Sequence, residues 1–453
     1  SGTNAHLIVE EAPQEPVLGV VGEGGVVPLM VSARGEGGVR LLSERLAVFL
    51  ERYPEVSLRG VAGALAGRSV FERRAVVVGG SRDEVVAGLR AGGPGVLSGG
   101  GPVLGDPVFV FPGQGAQWVG MAVELLDSSP VFAARFAECG AALGEFVEWS
   151  LVDVVRGVEG APGFERVDVV QPVLWAVMVS LAALWESYGV RPAAVVGHSQ
   201  GEIAAAVVAG ALSLLDGARV VALRSRAIVA LAGRGGMVSV ALDAVGAGEL
   251  AGRWAGRVSV AALNGPTSTV VSGDADALDE LVAFAEASGV RVRRVDVDYA
   301  SHSVHVEAIE AELAEVLAPV EALVSSVPFF SSLEGARVEG AVLDGGYWYR
   351  NLRHMVDFEA AVGALVGAGY RAFVEVSPHP VLVVPLEETV LRHDVEGGFA
   401  VLGTLRRDHG GLGDVVAAVG RAFVEGVVVH ADRVVPHPDL PTYPFQGDHH
   451  WLT

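Results

Sequence analysis

The sequence predicts an α/β protein made of a small leading unit, a larger α/β body and a ferredoxin-like insertion. Three patterns carry that expectation. First, residues 1–105 alternate strand and helix signals. Second, an apolar run at Ala193–Val196 turns at Gly197-His198-Ser199-Gln200-Gly201 into an alanine-rich helix former spanning Ile203–Leu215. Third, residues 237–299 read β-α-β-β-α-β, the order of a ferredoxin-like fold. A length of 453 residues exceeds a single ordinary core and fits several units.

In the leading unit, Val26–Val31 is a strand, Gly38–Arg52 a long amphipathic helix and Arg74–Gly79 a second strand. Ser81-x-x-Glu84 has the form of a capping box that starts the next helix. The glycine-rich run Ala91–Gly105 reads as a linker, and the boundary is placed there. Val108–Phe111 is then a short buried strand running into Pro112-Gly113-Gln114-Gly115, a turn whose backbone N–H groups can converge on an anion. Its spacing lacks the third glycine of a dinucleotide fingerprint.

Val169–Trp185 is apolar, but Gln171 and Pro172 interrupt its start, so it predicts a buried helix rather than a membrane span. In the insertion, strands are expected at Met237–Leu242, Val258–Leu263, Ser268–Gly273 and Val290–Val297. One helix ends near Trp254; a second starts at Asp274, a good N-cap, and stops at Gly289. From His430 onwards the chain is rich in Pro, His and aromatics and reads as an irregular strap packed on another unit.

Composition narrows the chemistry. The formal charge of −22 argues against nucleic acid as a partner. All basic residues other than histidine are arginines, which removes Schiff-base lysines and a P-loop lysine from consideration. Cys139 is the only cysteine, which excludes a disulfide framework and fits a reducing cytoplasm. His449 and His450 lack partners at metal-ligand spacing, so no metal site is expected. The first residue is Ser rather than Met, and no charged-then-apolar leader opens the chain, which reads as a piece of something larger.

Serine, histidine, carboxylates and arginine remain. Gly197-x-Ser199-x-Gly201 has the form of a nucleophile elbow, with the serine at the N-terminus of the following helix. A serine nucleophile needs a base. Among twelve histidines, His302 in DVDYASHSVHVEAI follows the last strand of the insertion, where the chain returns towards the cleft. His198 abuts the serine and reads better as a wall of the pocket. Arg224 lies among apolar neighbours in GARVVALRSRAIVAL, where it serves either a structural ion pair or a substrate carboxylate.

Together these motifs resemble the acyltransferase domain of modular type I polyketide synthases: GQG at Gly113–Gly115, GHSQG at Gly197–Gly201, the arginine in LRSRA, and YASHS at Tyr299–Ser303. The flanks agree. SGTNAHLIVEEAP resembles the end of a ketosynthase, with His6 inert in its absence, and LPTYPFQGDHHWL resembles a post-acyltransferase linker. The resemblance implies a hydrolase-like α/β body with an inserted ferredoxin-like subdomain, preceded by a small α/β linker domain. The divisions are 1–105 for the ketosynthase-to-acyltransferase linker, 106–236 with 300–405 for the large subdomain, 237–299 for the small one and 406–453 for the trailing linker.

The resemblance also implies roles. Ser199 would be the nucleophile and His302 the base, its imidazole oriented by a backbone carbonyl near Ser377–Pro380. The N–H groups of Gln114 and Gln200 would form an oxyanion hole, and Arg224 would hold the extender's carboxylate. Tyr299, Ser301, His198 and Gln171 would line the substrate site. YASHS, Gln200 and RVDVVQ at Arg166–Gln171 resemble the methylmalonyl-type pattern, with Tyr299 leaving room for the α-methyl. No bound cofactor is implied. The substrate would be methylmalonyl-CoA and the acceptor the phosphopantetheine of an acyl carrier protein. The partners would be that carrier protein and an adjacent ketosynthase, with no membrane and a monomeric fragment.

A serine hydrolase is the competing reading. It expects an acid between serine and histidine in chain order and the histidine near the C-terminus. Here about 150 residues follow His302 and no acid stands out. A non-catalytic scaffold is a third reading, against which the joint presence of Ser199, His302 and Arg224 counts.

Overall fold

Three sheets organise the described residues. The computed structural model describes residues 25–445 apart from 92, 94, 394 and 432–435, so His6, His449 and His450 lie outside the described residues. The strands in chain order are β1 Val27–Ala33, β2 Arg73–Gly79, β3 Val96–Gly100, β4 Val108–Phe111, β5 Ala194–Gly197, β6 Gly235–Val240 and β7 Val258–Gly265. They continue as β8 Ser268–Asp274, β9 Val292–Arg294, β10 Phe329–Ser331, β11 Ala336–Val338, β12 Val356–Asp357, β13 Ala372–Glu375 and β14 Ala400–Gly403.

The leading sheet is antiparallel in the order β1-β2-β3. Its alternation decides what covers each face. Leu29, Val31 and Val77 pack with Leu42, Leu46 and Val85 of the helices Glu36–Arg52 and Arg82–Ala91, whereas Met30 and Val76 meet the helix Leu412–Val424 on the other side. Arg74 is buried on that second face. Its guanidinium donates to the carbonyls of Val424 (3.1 Å) and Gly101 (2.7 Å), placing a cation at a helix C-terminus.

The glycine-rich run read as a linker supplies β3, because Val96 and Leu97 pair with Val77 and Val76 and complete the sheet. At Ser81 the cap is half of the expected box. Ser81 accepts from the Glu84 N–H (3.3 Å), but the Glu84 carboxylate takes the N–H of Gly80 (2.9 Å). The trailing strap is seen in residues 436–445: His437 packs on Tyr53 (4.7 Å between ring centroids), Tyr443 packs on Phe71 (5.1 Å), and Leu440 enters the leading unit's core.

The central sheet has the order β11-β10-β5-β4-β13-β14, parallel except for β11. Its strands are short and apolar, as expected where helices cover both faces. The helix Val167–Ser187 is long and apolar enough to cross a membrane, but it is the buried core helix of this body, with Trp175 and Trp185 fully enclosed.

The insertion forms the third sheet, ordered β12-β7-β8-β6-β9. β6 to β9 are antiparallel neighbours with the helices Ala244–Gly252 and Ala275–Ala287 between them, the ferredoxin-like arrangement. β12 adds a parallel edge beside β7. The last strand is shorter than its apolar pattern suggests: only Val292–Arg294 pairs with β6. Gly289 ends the preceding helix in the left-handed region (φ +75°), and Asp274 stands at that helix's N-cap. Its carboxylate is turned to His305 and Arg257 instead of the helix N–H groups.

The alanine-rich run after Gly201 is two helices. Gly201–Val208 stops at Gly210 (φ +73°), and Leu214–Ile228 begins under a Ser213 cap that accepts from the Asp216 N–H (3.0 Å). Arg224 therefore rides on the second helix.

Candidate active site

β5 lies between β4 and β10, so its C-terminal turn emerges at the centre of the parallel sheet. Two glycines make that turn possible. A Cβ on Gly197 would lie 2.2 Å from the Glu202 nitrogen, and one on Gly201 would lie 2.0 Å from the Phe111 carbonyl oxygen. Gly197→Ala is expected to cost about 3 kcal/mol or more through this overlap, read as a lower Tm in a thermal melt.

Ser199 sits at the apex with φ +53°, a conformation that is costly for a residue with a Cβ and is found where a site holds it in place. The helix Gly201–Val208 starts immediately behind it. His302 shares the same unusual backbone region, with φ +59°.

The two side chains meet. Ser199 Oγ lies 2.8 Å from His302 Nε2, and His302 Nδ1 lies 2.7 Å from the carbonyl oxygen of His354. A carbonyl can only accept, so Nδ1 carries the proton and Nε2 is free to accept from the serine hydroxyl. Burial holds the His302 imidazole neutral, with its pKa down at about 3, and the charge of Arg224 adds to the depression.

The orienting carbonyl is not in Ser377–Pro380 as expected. That segment is committed elsewhere: the Pro378 carbonyl accepts from Trp118 Nε1 (2.9 Å), and the His379 carbonyl accepts from Ser377 Oγ (2.8 Å). Beside it, the buried Glu375 carboxylate takes the N–H groups of Val381 and Leu382 (2.8 Å each) ahead of the helix Val383–Arg392. Desolvation lifts Glu375 to about 7.

Arg224 is 1% exposed. Its Nη1 donates to Asn351 Oδ1 (2.6 Å), while Nε has no partner among the described residues. Among the described residues no carboxylate forms an ion pair with it. Desolvation brings its pKa down to about 10, so the guanidinium is still charged at neutral pH. Asn351 Nδ2 also donates to the Ser199 carbonyl (3.4 Å), which ties the arginine to the elbow.

Gln171, Tyr299 and Gln114 form a chain. Gln171 Nε2 donates to the Tyr299 hydroxyl (3.4 Å), which donates to Gln114 Oε1 (3.0 Å). Tyr299 is buried and its phenol is held well above the usual range by desolvation. Ser301, 7% exposed, has its carbonyl bound by Ser272 Oγ of β8 (2.6 Å). His198 turns towards the small subdomain, with Nε2 donating to Asn264 Oδ1 of β7 (2.7 Å), and burial lowers its pKa. The backbone N–H groups of Gln114 and Gln200 donate to no acceptor among the described residues, and the buried Gln200 carboxamide is likewise unpartnered.

Sequence reasoning passed over Asn351, His354, Glu202 and Glu375. Asn351 and His354 lie in GGYWYRNLRHMVDF, where no motif marks them. Glu202 alone carried a signal, as an acidic residue among alanines next to the elbow. Among the described residues no cluster of His, Cys, Asp and Glu is arranged to hold a metal ion. Cys139 is buried and unreactive, its thiol pushed up to about 12 by desolvation.

Residues 108–429 match the family model for the acyl transferase domain. The chain is 52% identical, over its whole length, to part of the pikromycin polyketide synthase component PikAII of Streptomyces venezuelae, of which it covers 12%. It is 50% identical to part of the mycoketide-CoA synthase of Mycobacterium tuberculosis, of which it covers 11%. The chain thus spans about a tenth of the length of these relatives. Among solved structures, the acyltransferase domain from module 8 of the salinomycin polyketide synthase superposes with a TM-score of 0.83 at 52% identity, covering 90% of this chain and 98% of that one. A hydrogen-bonded serine–imidazole pair at the elbow of a parallel sheet, with that match in sequence and fold, places the chain in the acyl transferase family, as a serine-dependent acyltransferase domain of the modular type I polyketide synthase kind.

Proposed function

We propose that this domain loads an extender unit, methylmalonyl from methylmalonyl-CoA, through an ester on Ser199 onto the phosphopantetheine thiol of an acyl carrier protein in polyketide biosynthesis. The single observation that carries the choice of substrate class is Arg224: a buried guanidinium beside the dyad, bonded to an amide and to no carboxylate of the described chain. A free carboxylate on the acyl group is the partner that such a site recognises.

The steps follow from the geometry. Ser199 Oγ attacks the thioester carbonyl while His302 Nε2 takes its proton, and the N–H groups of Gln114 and Gln200 receive the developing oxyanion. The carbon–sulfur bond breaks, and His302 returns the proton to the departing coenzyme A thiolate. The carrier thiol then gives its proton to His302 and attacks the ester carbonyl, the bond between Ser199 Oγ and the acyl carbon breaks, and His302 returns the proton to Ser199 Oγ. No bound cofactor takes part. The Tyr299 hydroxyl is held by Gln114 and Gln171, which supports a fixed ring beside room for an α-methyl. One methyl is worth about 1–3 kcal/mol in a pocket, so methylmalonyl is preferred over malonyl without complete exclusion. Ser301, His198 and Gln200 line the same site.

The remaining assignments belong to this reading. The adjacent ketosynthase and the carrier protein are the partners, the domain is a cytoplasmic monomer when alone, and the divisions are 1–105, 106–236 with 300–405, 237–299 and 406–453. On a protein of net charge −22, an acidic carrier needs a local basic edge. Arg291 and Arg293 offer one on and beside β9, whereas Arg294 is engaged by Asp279.

Incubating the domain with radiolabelled methylmalonyl-CoA and phosphopantetheinylated carrier protein tests the proposal. Label on the carrier thiol supports it; label released only as free acid refutes it in favour of a hydrolase.

A pH prediction follows from His302. Since its pKa is depressed to about 3, the base stays neutral far below the ordinary imidazole value near 6.5, and lowering the pH does not protonate it. The kcat/KM for acylation at pH 5.5 is expected to stay within about twofold of its value at pH 7.5. An inflection near pH 6.5 would contradict the assignment. Stability moves differently. The unfolded histidine takes up a proton below about 6.5 and the folded one does not, so this group's contribution is complete above about 6.5 and is lost as pH falls towards 3.

A further inference from the structure

The helix Gly345–Arg353 holds each reacting group by its C-terminal end. The Leu352 carbonyl accepts the His302 backbone N–H (2.9 Å), the His354 carbonyl accepts His302 Nδ1 (2.7 Å), and Asn351 bonds both Arg224 and the Ser199 carbonyl. What fixes the helix itself lies one turn earlier. Tyr347, four residues before Asn351 and so on the same face, donates its hydroxyl to Glu202 Oε2 (2.5 Å). Glu202 is fully buried on the helix Gly201–Val208, three residues after Ser199.

The carboxylate is well supplied. Its Oε1 accepts the N–H (2.5 Å) and the hydroxyl (2.7 Å) of Ser332 at the end of β10, and Ser331 Oγ bonds the Tyr347 hydroxyl (2.6 Å). A buried carboxylate is costly unless its donors are held in place, so a conversion of Tyr347 or Glu202 forces the surrounding elements to move. The bonds close a ring: Ser199 to Glu202 along the chain, Glu202 to Tyr347, Tyr347 to Asn351 along the helix, and Asn351 back to the Ser199 carbonyl.

We propose that Glu202 and Tyr347 are a positioning pair that fixes the helix Gly345–Arg353 against the elbow and thereby sets the distance and angle between His302 and Ser199. This inference rests on the reading of Ser199 and His302 as the dyad. Both residues are fully buried, with their polar atoms turned to each other and to Ser331 and Ser332. The pair acts through the His354 and Leu352 carbonyls, and small misplacement of such a base is expensive in rate.

The test uses a reagent that needs the dyad but no extender, phenylmethanesulfonyl fluoride, with sulfonylation of Ser199 followed by intact mass. Tyr347→Phe is expected to slow sulfonylation about tenfold or more. It is also expected to shift the low-field proton resonance of the His302 Nδ1–H. Glu202→Gln, which keeps the volume but replaces one acceptor oxygen by a donor nitrogen, is expected to do the same, and serves where Tyr347→Phe folds poorly. Tyr349→Phe, on the half-exposed side of the helix, is the control expected to match the parent. Unchanged rate and resonance in both variants overturn the proposal. So does a fall in rate that merely tracks a loss of folded protein with the resonance in place. If the parent itself is not sulfonylated at Ser199, the reading of the dyad fails first, and the positioning pair with it.

Discussion

His302→Ala is expected to lower the rate of Ser199 acylation by roughly 10²–10⁴-fold while leaving the domain folded. The serine hydroxyl then loses the acceptor 2.8 Å away, and no second base stands at that distance among the described residues. The residual rate would come from the oxyanion donors and binding alone. Stopped-flow release of coenzyme A, with circular dichroism for the fold, measures both. A variant that acylates at near-parent rate would remove His302 as the base. The variant also tests the dyad against a triad. His302 is oriented by a main-chain carbonyl, so among the described residues it has no carboxylate partner whose replacement would imitate its loss.

Arg224→Ala is expected to change which substrate is used, more than whether any is used. Losing one partner of a buried charge pair costs about 3–4 kcal/mol, which corresponds to a fall of roughly 10²–10³-fold in kcat/KM for a carboxylated acyl-CoA. Acetyl-CoA is expected to hold its rate or gain, because the parent site must leave a buried guanidinium unpaired when acetyl enters. Parallel kcat/KM values for methylmalonyl-CoA and acetyl-CoA decide the point. An equal fall with both substrates would make Arg224 a structural residue that supports the elbow through Asn351.

Much of this architecture was legible in the sequence because local pattern and tertiary demand coincide. β4 runs over Val108–Phe111 as read, since four apolar residues between turn formers have no other compact use. The β-α-β-β-α-β order survives as one sheet because short apolar strands are separated by helices with clear boundaries, an Asp243 cap on the first and a Gly289 stop after the second. The elbow was legible because two glycines bracket one serine, and the clashes met by a Cβ at Gly197 and Gly201 show why.

The rest depended on distant contacts. β3 hides in a glycine-rich run because its partner, β2, supplies the reason for it to be extended. The break at Gly210 is masked by helix-favouring neighbours. Carbonyl oxygens leave no mark in a sequence, so the sequence points to Ser377–Pro380 for the acceptor that orients His302, while the fold brings the His354 carbonyl there, 52 residues beyond it in the chain. Asn351 is one amide among many until the fold sets it between Arg224 and the Ser199 carbonyl.

Intact-protein mass spectrometry after brief exposure to equal malonyl-CoA and methylmalonyl-CoA tests the central claim most directly, with Ser199→Ala alongside. The predicted result is a persistent adduct of methylmalonyl mass on the parent and none on the variant. An adduct retained in Ser199→Ala, or rapid release of coenzyme A with no adduct on the parent, would contradict the account; an adduct of malonyl mass would contradict the extender assignment resting on Tyr299, Gln171 and Gln200.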